Sequence, residues 1–135
     1  MNAFDLDIQG GVVRIERTMD AERVVDRLNA SGFHAVRVDR APVFDKDTLL
    51  HALYQALELP AWFGFNLDAL ADALSELRTR QGKRWVLVFQ DFTLLEDADP
   101  ALAETFCEIV DEACELPEAG LVAAVLMPGA RPSSA

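Results

Sequence analysis

Two uninterrupted apolar segments in the second half of the chain constrain the fold most. They are "WVLVF" within residues 84–92 and "LVAAVLM" at 121–127. A strand with one solvated face alternates apolar and polar residues, so these runs predict strands that are buried on both faces. Strands of that kind occur in parallel sheets covered by helices. The sequence therefore predicts an α/β fold.

Helical patterns alternate with these runs and with a third apolar segment, "FHAVRVD". We predict helices at 20–31, at 49–57 before Pro60, from Asn66 to about Thr79, and from Asp99 to about Leu116. This order predicts a three-stranded parallel sheet, with strands near 34–39, 84–91 and 121–127 joined by right-handed crossovers. The residues predicted to be buried between this sheet and its helices are Leu50, Leu53, Leu70, Leu74, Val86, Val88, Ile109, Val110 and Val125.

The first 32 residues form an additional unit. "AFDLDI" alternates apolar and polar residues, "QGG" is typical of a turn, and "VVRIER" has the pattern of a second strand, so a hairpin fits this region. The helix at 20–31 also places "VVRIER" and "FHAVRVD" in a strand-helix-strand unit. We therefore expect Val12–Arg17 to join the sheet or to pack on its edge. The predicted divisions are an N-terminal extension at 1–32 packed on the same domain, the α/β domain at 33–127, and a disordered tail at 128–135.

No segment has the properties of a membrane span or an export signal. A helix that crosses a membrane requires about 20 apolar residues, and no apolar run approaches that length. The opening "MNAFDLDIQGG" carries acidic residues where a signal peptide carries basic ones. We expect a cytoplasmic protein that does not bind membranes.

Cysteine and histidine are too sparse for a disulfide or a metal site. Cys107 and Cys114 are seven residues apart in a predicted helix, which separates them by about 10.5 Å along its axis, beyond the reach of a disulfide. Both are predicted to be buried as apolar residues. His34 and His51 are isolated in the sequence, and a zinc site would need further ligands at suitable spacing. We predict no metal and no cofactor.

The chain is acidic, with 23 Asp and Glu against 12 Lys and Arg and a net charge of −11. The excess lies after residue 40, because residues 1–40 hold seven acids and six bases. Proteins that bind nucleic acids by themselves carry the opposite charge, so the sequence argues against direct binding of DNA or RNA. Two interpretations remain open: a surface that promotes solubility or a surface that meets a basic partner.

The predicted helix that begins at Asn66 has one acidic face. Asp68 and Asp72 are one helical turn apart, where like charges repel by a few tenths of a kcal/mol, although the helix dipole partly compensates Asp68. This face is either a solvated surface or a binding site. At 100° per residue, the apolar side holds Leu67, Leu70, Leu74 and Leu77, and the polar side holds Asp68, Asp72, Ser75 and Thr79.

The loop before this helix contains two aromatic residues beside a glycine. Trp62 and Phe63 precede Gly64 in a segment too short to bury both rings in one core, so we predict that at least one ring stays at the surface. An exposed Trp beside carboxylates has the composition of a binding hot spot. The alternative is that Trp62 only covers the core.

Together, the loop and the helix resemble a known family. The stretch "LPAWFGFNLDALADAL" (59–74) is similar to the signature of the barstar family, small intracellular inhibitors of secreted ribonucleases. That signature has Leu-Pro, two aromatics, Gly, a variable residue, Asn-Leu-Asp-Ala-Leu and a second Asp four positions after the first. The resemblance covers about residues 34–127. It implies a barstar-like fold for residues 33–127.

The resemblance also implies a role for each matching residue. Asp72 matches the carboxylate that occupies the substrate phosphate position in the ribonuclease, and Asp68 matches its companion, which pairs with a basic side chain. Trp62 matches the aromatic residue that packs against the catalytic histidine. Glu112 aligns with an acidic residue that adds a peripheral ion pair. The remaining candidate contacts are Gly64, Asn66, Leu67 and Ala69, which match family positions, and Ser75, which lies on the same polar helix face.

Other positions bear on the choice of partner. Ala71 stands where a family member carries a large aromatic residue, and Leu77 replaces another aromatic, so the identity of the ribonuclease is open. Glu112 lies in a predicted acidic stripe, which is either a solubilising surface or part of a contact. The members of this stripe are Glu104, Glu108, Asp111, Glu112 and Glu115.

These patterns are compatible with three functions to different degrees. The resemblance favours a stoichiometric inhibitor, monomeric when free, that blocks the cleft of a basic ribonuclease, barnase-like or another secreted nuclease, and so gives immunity to a toxin. An enzyme would use Asp68 and Asp72 as an acid–base pair, but the sequence has neither a recognisable nucleophile with its base nor a phosphate loop. The third is a barstar-fold interaction module with a non-ribonuclease target or a lost target.

Overall fold

The computed structural model describes residues 10–77 and 82–129. Within these ranges the chain forms four strands and five helices. In chain order they are β1 (Gly11–Arg14), α1 (Ala21–Ala30), β2 (His34–Arg37), α2 (Lys46–Ala56), α3 (Leu67–Glu76), β3 (Trp85–Phe89), α4 (Thr93–Ala98), α5 (Pro100–Cys114) and β4 (Leu121–Leu126).

All four strands are parallel and lie in one sheet, in the order β1-β4-β3-β2. The three strands predicted from the apolar runs are therefore confirmed, with shorter bounds. The predicted number of strands, three, is wrong, because β1 pairs with β4 from Gly11 opposite Ala123 to Arg14 opposite Leu126. The separate expectation that Val12–Arg17 joins the sheet or packs on its edge is confirmed for residues 12–14. This pairing gives the outer edge of β4 a hydrogen-bonding neighbour. The first strand of the predicted hairpin falls at residues 1–9, outside the described residues.

Both faces of the sheet are buried, and they are covered by different helices. Along β3, Trp85, Leu87 and Phe89 pack into one apolar cluster, whereas Val86 and Val88 pack into another. The cluster of Val86 and Val88 is covered by α1, and the opposite cluster is covered by α2, α3 and α5. The buried members of the predicted core are Leu50, Leu53, Leu70, Leu74, Val86, Val88, Val110 and Val125, whereas Ile109 is only partly buried.

Side-chain caps determine where four of the five described helices begin, with carboxylates at α1, α2 and α5 and an asparagine amide at α3. The carboxylate of Asp20 accepts the N–H of Glu22 at the start of α1, and that of Asp99 accepts the N–H of Leu102 at the start of α5. At α2, Asp45 and Thr48 form a capping box, and these hydrogen bonds lower the pKa of Asp45. The predicted starts of the first and last of these helices, at Asp20 and at Asp99–Pro100, are confirmed.

A buried carboxylate joins two strands where they end. Asp39 is only 8% exposed, and its two oxygens accept the backbone N–H groups of Gln90 at 3.0 Å and Asp91 at 2.7 Å. Asp91 in turn accepts the N–H of Leu94 in the first turn of α4. Asp39 therefore fixes the carboxyl ends of β2 and β3 relative to each other.

Hydrogen bonds also hold the two ends of the described chain. The N–H of Val12 donates to Asp111 Oδ1 at 3.1 Å, which anchors β1 to α5. The predicted tail begins at residue 128, but the carbonyls of Pro128 and Gly129 accept hydrogen bonds from the hydroxyls of Thr93 and Thr18. The rest of that tail, 130–135, lies outside the described residues.

The two cysteines are free thiols on α5. The sequence predicts that both are buried as apolar residues, and they are partly buried against the core. Burial raises the pKa of Cys107, and it raises the pKa of Cys114 to about 11. These thiols are therefore poor nucleophiles at neutral pH, because the thiolate is the reactive form.

Among the described helices, none has the length and apolarity needed to cross a membrane.

Candidate functional site

The loop between α2 and α3 separates its two adjacent aromatic residues. The chain turns sharply after α2, where Glu58 has a φ of 52° and the N–H of Leu59 donates to the carbonyl of Tyr54. A second turn follows, in which the N–H of Phe63 donates to the carbonyl of Pro60. As a result Phe63 is buried in the core, whereas Trp62 is 79% exposed. The prediction that one of the two rings stays at the surface is confirmed, and that ring is Trp62.

A third aromatic residue supports the loop from behind. Phe65 has a φ of 50°, in the left-handed region that residues other than glycine rarely occupy. Its ring centroid lies 5.0 Å from that of Phe63, 5.1 Å from that of Tyr54 and 4.6 Å from that of His51. Ring contacts of this kind stabilise by about 0.5–1.5 kcal/mol each beyond the area they bury, which offsets the cost of the backbone conformation. The loop that presents Trp62 is therefore held by packing.

Asn66 joins the loop to α3. Its Oδ1 accepts the N–H of Ala69 at 2.8 Å, as predicted for a helix cap, and its Nδ2 donates to the carbonyl of Gly64 at 3.2 Å. A Cβ at Gly64 would lie 3.1 Å from Asn66 Nδ2 and 3.4 Å from the Cβ of Ala69, so the close approach of the loop to α3 favours glycine. Gly64, Asn66 and Ala69 thus determine how the loop meets the helix.

The acidic and apolar sides of α3 are those predicted from its period. Asp68 and Asp72 are exposed, whereas Leu70 and Leu74 are fully buried. Leu67 is partly buried against the same core. Leu77, one of the two departures from the family pattern, is buried and contributes no surface. Ser75 is partly buried, and its hydroxyl donates to the carbonyl of Ala71 at 2.9 Å. Thr79 lies outside the described residues.

A groove of about 550 Å³ lies between the loop and α3. Trp62 and Asp72 line it, together with two further carboxylates, those of Glu58 and Glu76. Sequence patterns did not identify Glu58 or Glu76. Glu76 could have been inferred from the sequence, because it lies one helical turn after Asp72. Glu58 could not, because it reaches the groove only through the turn of the chain after α2. The lining residues are Glu58, Leu59, Pro60, Trp62, Phe63, Gly64, Ala69, Asp72, Ala73 and Glu76.

The predicted acidic stripe on α5 is only partly a free surface. Glu112 is exposed on α5, a helix that packs against α3. Asp111, however, accepts the N–H of Val12, so its carboxylate has a structural role at β1.

In the described residues no group of three or more His, Cys, Asp or Glu is arranged to hold a metal. The groups that the surface around Trp62 and Asp72 offers for binding are an aromatic ring and carboxylates.

Comparison with models of protein families assigns the chain to a family. The family model described as Barstar (barnase inhibitor) matches residues 33–127. The chain belongs to the barstar family. The match begins just before β2 and ends just after β4, so it includes the loop and α3, whereas β1 and α1 precede it. No curated protein matches the chain significantly. Members of the barstar family are inhibitors rather than enzymes.

Proposed function

We propose that the protein is a stoichiometric inhibitor of a basic ribonuclease. The observation that carries the proposal is the exposed Trp62 beside the groove lined by Asp72, with Asp68 exposed one turn earlier on α3. A tryptophan that is 79% exposed on a packed loop has no role in the core. The resemblance to the barstar signature implies that the loop and helix at these positions block the active site of the enzyme, and the family match includes both.

Electrostatic attraction would bring the two proteins together. A ribonuclease cleft is lined by Lys, Arg and His, which hold the phosphates of RNA. The inhibitor carries a net charge of −11, and this charge attracts a positive cleft before contact. Once the surfaces meet, Asp72 would lie where a phosphate oxygen binds and would accept charge-assisted hydrogen bonds from basic side chains. The result is blockade of the cleft without any chemical step.

The packing of the loop would lower the cost of binding. A side chain that becomes ordered at an interface costs about 0.5–1.5 kcal/mol. Phe63 is buried beneath the loop, and Phe65 contacts three rings in tilted or edge-on arrangements. Trp62 is therefore presented on backbone that is already fixed. In the cell that makes the ribonuclease, such an inhibitor would act in the cytoplasm and provide immunity to the toxin before its export.

Single alanine substitutions test the proposal, with barnase as the first probe and a panel of other basic ribonucleases as the next. We expect Asp72→Ala to weaken binding most, followed by Asp68→Ala and Trp62→Ala. Removal of one partner leaves basic groups of the enzyme buried and unpaired, a loss of several kcal/mol, for which the barnase–barstar pair is itself the standard example. Calorimetric titration measures the affinity, a ribonuclease assay measures inhibition, and circular dichroism checks the fold.

Asp26→Ala is the matched control, because Asp26 is an exposed acid on α1, the helix that covers the opposite face of the sheet from α3. It should leave the affinity unchanged. If a ribonuclease binds and both Asp72→Ala and Asp68→Ala keep its affinity within about threefold, a loss under ~0.7 kcal/mol, the acidic face of α3 is not the inhibitory surface. If none of the panel is bound or inhibited, the protein is an interaction module with another target.

A further inference from the structure

A second groove, of about 470 Å³, lies between the carboxyl end of β2 and α2. It shares no lining residue with the groove at Trp62. Its volume falls in the range of sites that hold small molecules. The lining residues are Arg37, Val38, Arg40, Ala41, Pro42, Thr48, His51, Ala52, Gln55 and Ala56.

The residues that line this groove are basic or uncharged, although the protein as a whole is acidic. The chain has nearly twice as many acids as bases, 23 against 12, yet no acidic residue is among the ten that line this groove. Arg37 and Arg40 contribute two positive charges from the β2 side, and His51 and Gln55 contribute N–H groups from α2. The carboxylates that pair with these arginines, Glu22 and Asp39, are not among the lining residues, so the groove wall presents the cationic groups and N–H donors that hold an anion.

The two arginines are held near each other without short ion pairs. Glu22 Oε2 lies 3.4 Å from Arg37 Nη1 and 3.5 Å from Arg40 Nη1, so one exposed carboxylate serves two guanidinium groups. Strong charge-assisted hydrogen bonds are shorter, about 2.7–2.9 Å. Asp39 is 3.6 Å from Arg37 Nε, but both of its oxygens accept backbone N–H groups at 3.0 and 2.7 Å. The side chain of Arg40 remains 70% exposed.

We propose that this groove binds a small molecule that carries a phosphate monoester. A dianionic phosphate matches two neighbouring guanidinium groups better than a carboxylate does, because it offers more oxygens and more charge. Arg40 makes the main contact and Arg37 lies behind it, while His51 and Gln55 donate from the opposite wall. The groove is larger than a phosphate ion, and its remaining walls are apolar, at Val38, Pro42 and the alanines, so they hold the organic part of the ligand. The net charge of −11 disfavours RNA or DNA as the source of the phosphate.

Titration of the isotope-labelled protein by NMR tests the proposal. The probes are ribose 5-phosphate, inorganic phosphate and acetate at equal ionic strength and about pH 8, where a phosphate monoester carries close to two charges. We expect both phosphates, but not acetate, to shift the amide resonances of residues 37–42 and 51–56, with ribose 5-phosphate the tighter ligand. Arg40→Gln should weaken ribose 5-phosphate binding by about tenfold or more, the loss of a charged hydrogen-bond donor.

Arg23→Gln is the matched control, since Arg23 is exposed on α1 and does not line the groove. It removes the same charge and should change the affinity by less than about twofold. The proposal is wrong if shifts occur mainly outside this groove, if acetate binds as tightly as phosphate, or if Arg40→Gln and Arg23→Gln have equal effects. Binding of barnase to Arg40→Gln should match the unsubstituted protein, so this test is independent of ribonuclease inhibition.

Discussion

Phe65 shows that the candidate site depends on residues that lie behind its surface. In the sequence it occupies the variable position between Gly64 and Asn66. In the structure its ring contacts His51, Tyr54 and Phe63, and its backbone is left-handed. A left-handed conformation costs a residue other than glycine about 1–2 kcal/mol. The ring contacts and the backbone cost act in opposite directions, and substitutions can separate them.

Phe65→Ala removes the ring contacts but keeps the energetic cost of a left-handed backbone. Phe65→Gly removes both the ring contacts and that cost. We expect Phe65→Ala to lower the free energy of unfolding by about 2 kcal/mol, because the ring is only partly buried. Phe65→Gly should be as stable as Phe65→Ala or more stable by up to about 1 kcal/mol. At most other positions glycine destabilises a protein relative to alanine. Urea denaturation of both variants measures the difference. A Phe65→Gly protein less stable than Phe65→Ala by more than about 0.5 kcal/mol would contradict the role of the positive φ.

At this scale, the sequence predicted the residues whose position follows from a period or a cap. Asp68 and Asp72 follow from the turn of the helix, and Asn66 follows from its place before an apolar repeat. Phe65 and Glu58 could not be found in this way. Both have left-handed backbones that depend on tertiary packing, and neither is a glycine or an asparagine that would mark such a conformation in a sequence.

Among the elements, α3 combines two tasks, since its apolar side fills the core and its polar side presents Asp68 and Asp72. Asn66 supports both tasks through its cap on Ala69. Asn66→Ala should lower the free energy of unfolding by about 1 kcal/mol. Asn66→Ser should recover most of that loss, because a serine oxygen can also accept the N–H at this position. Urea denaturation checks the order, and equal stability of the two variants would exclude a capping role.

Sequence patterns missed α4, and they predicted the strand β1 without determining its partner; both features depend on neighbouring elements. The six residues of α4 are too few for a helical period to be recognised, and the helix begins soon after β3, where Asp91 accepts the N–H of Leu94 in its first turn. The four residues of β1 fit a hairpin as well as a parallel strand in the sequence. Its place beside β4 depends on pairing across more than 100 residues and on Asp111, which accepts the N–H of Val12.

At the scale of the whole molecule, the extension before the family match is part of the core. Ala21, Val24 and Leu28 of α1 are at most 3% exposed and cover one face of the sheet. A fragment that starts at residue 33 would leave Val86 and Val125 without that cover. We expect this fragment to lose cooperative thermal unfolding and to bind a hydrophobic dye such as ANS. A fragment with the melting temperature of the full chain would show that α1 is dispensable.

Point substitutions test the same layer without removing residues. Leu28→Ala in the full chain should lower the free energy of unfolding by about 2–5 kcal/mol, as for other buried leucines. Arg23→Ala on the exposed side of α1 is the control and should change it by less than about 0.5 kcal/mol.

The net charge of −11 makes association with a basic partner depend on salt. Glu112 is exposed on α5 and does not line the groove at Trp62. Glu112→Ala should therefore slow association with the ribonuclease and reduce its salt dependence, with little effect on dissociation. Stopped-flow kinetics at several salt concentrations measures both rates. A change confined to the dissociation rate would place Glu112 within the buried contact.

The order of the strands has a further consequence for how the protein is made. β4 follows the other three strands in the chain, yet it lies in the sheet between β1 and β3. On the ribosome, β1 therefore has no neighbour to pair with until residues 121–126 have left the exit tunnel. The pairing of β1 therefore depends on β4, the last strand to be synthesised, and pairing between strands so far apart in the sequence is slow. A nascent chain that stalls before β4 cannot complete the sheet beneath α3, so the surface formed by the loop and α3 would be in place only when synthesis has passed that strand.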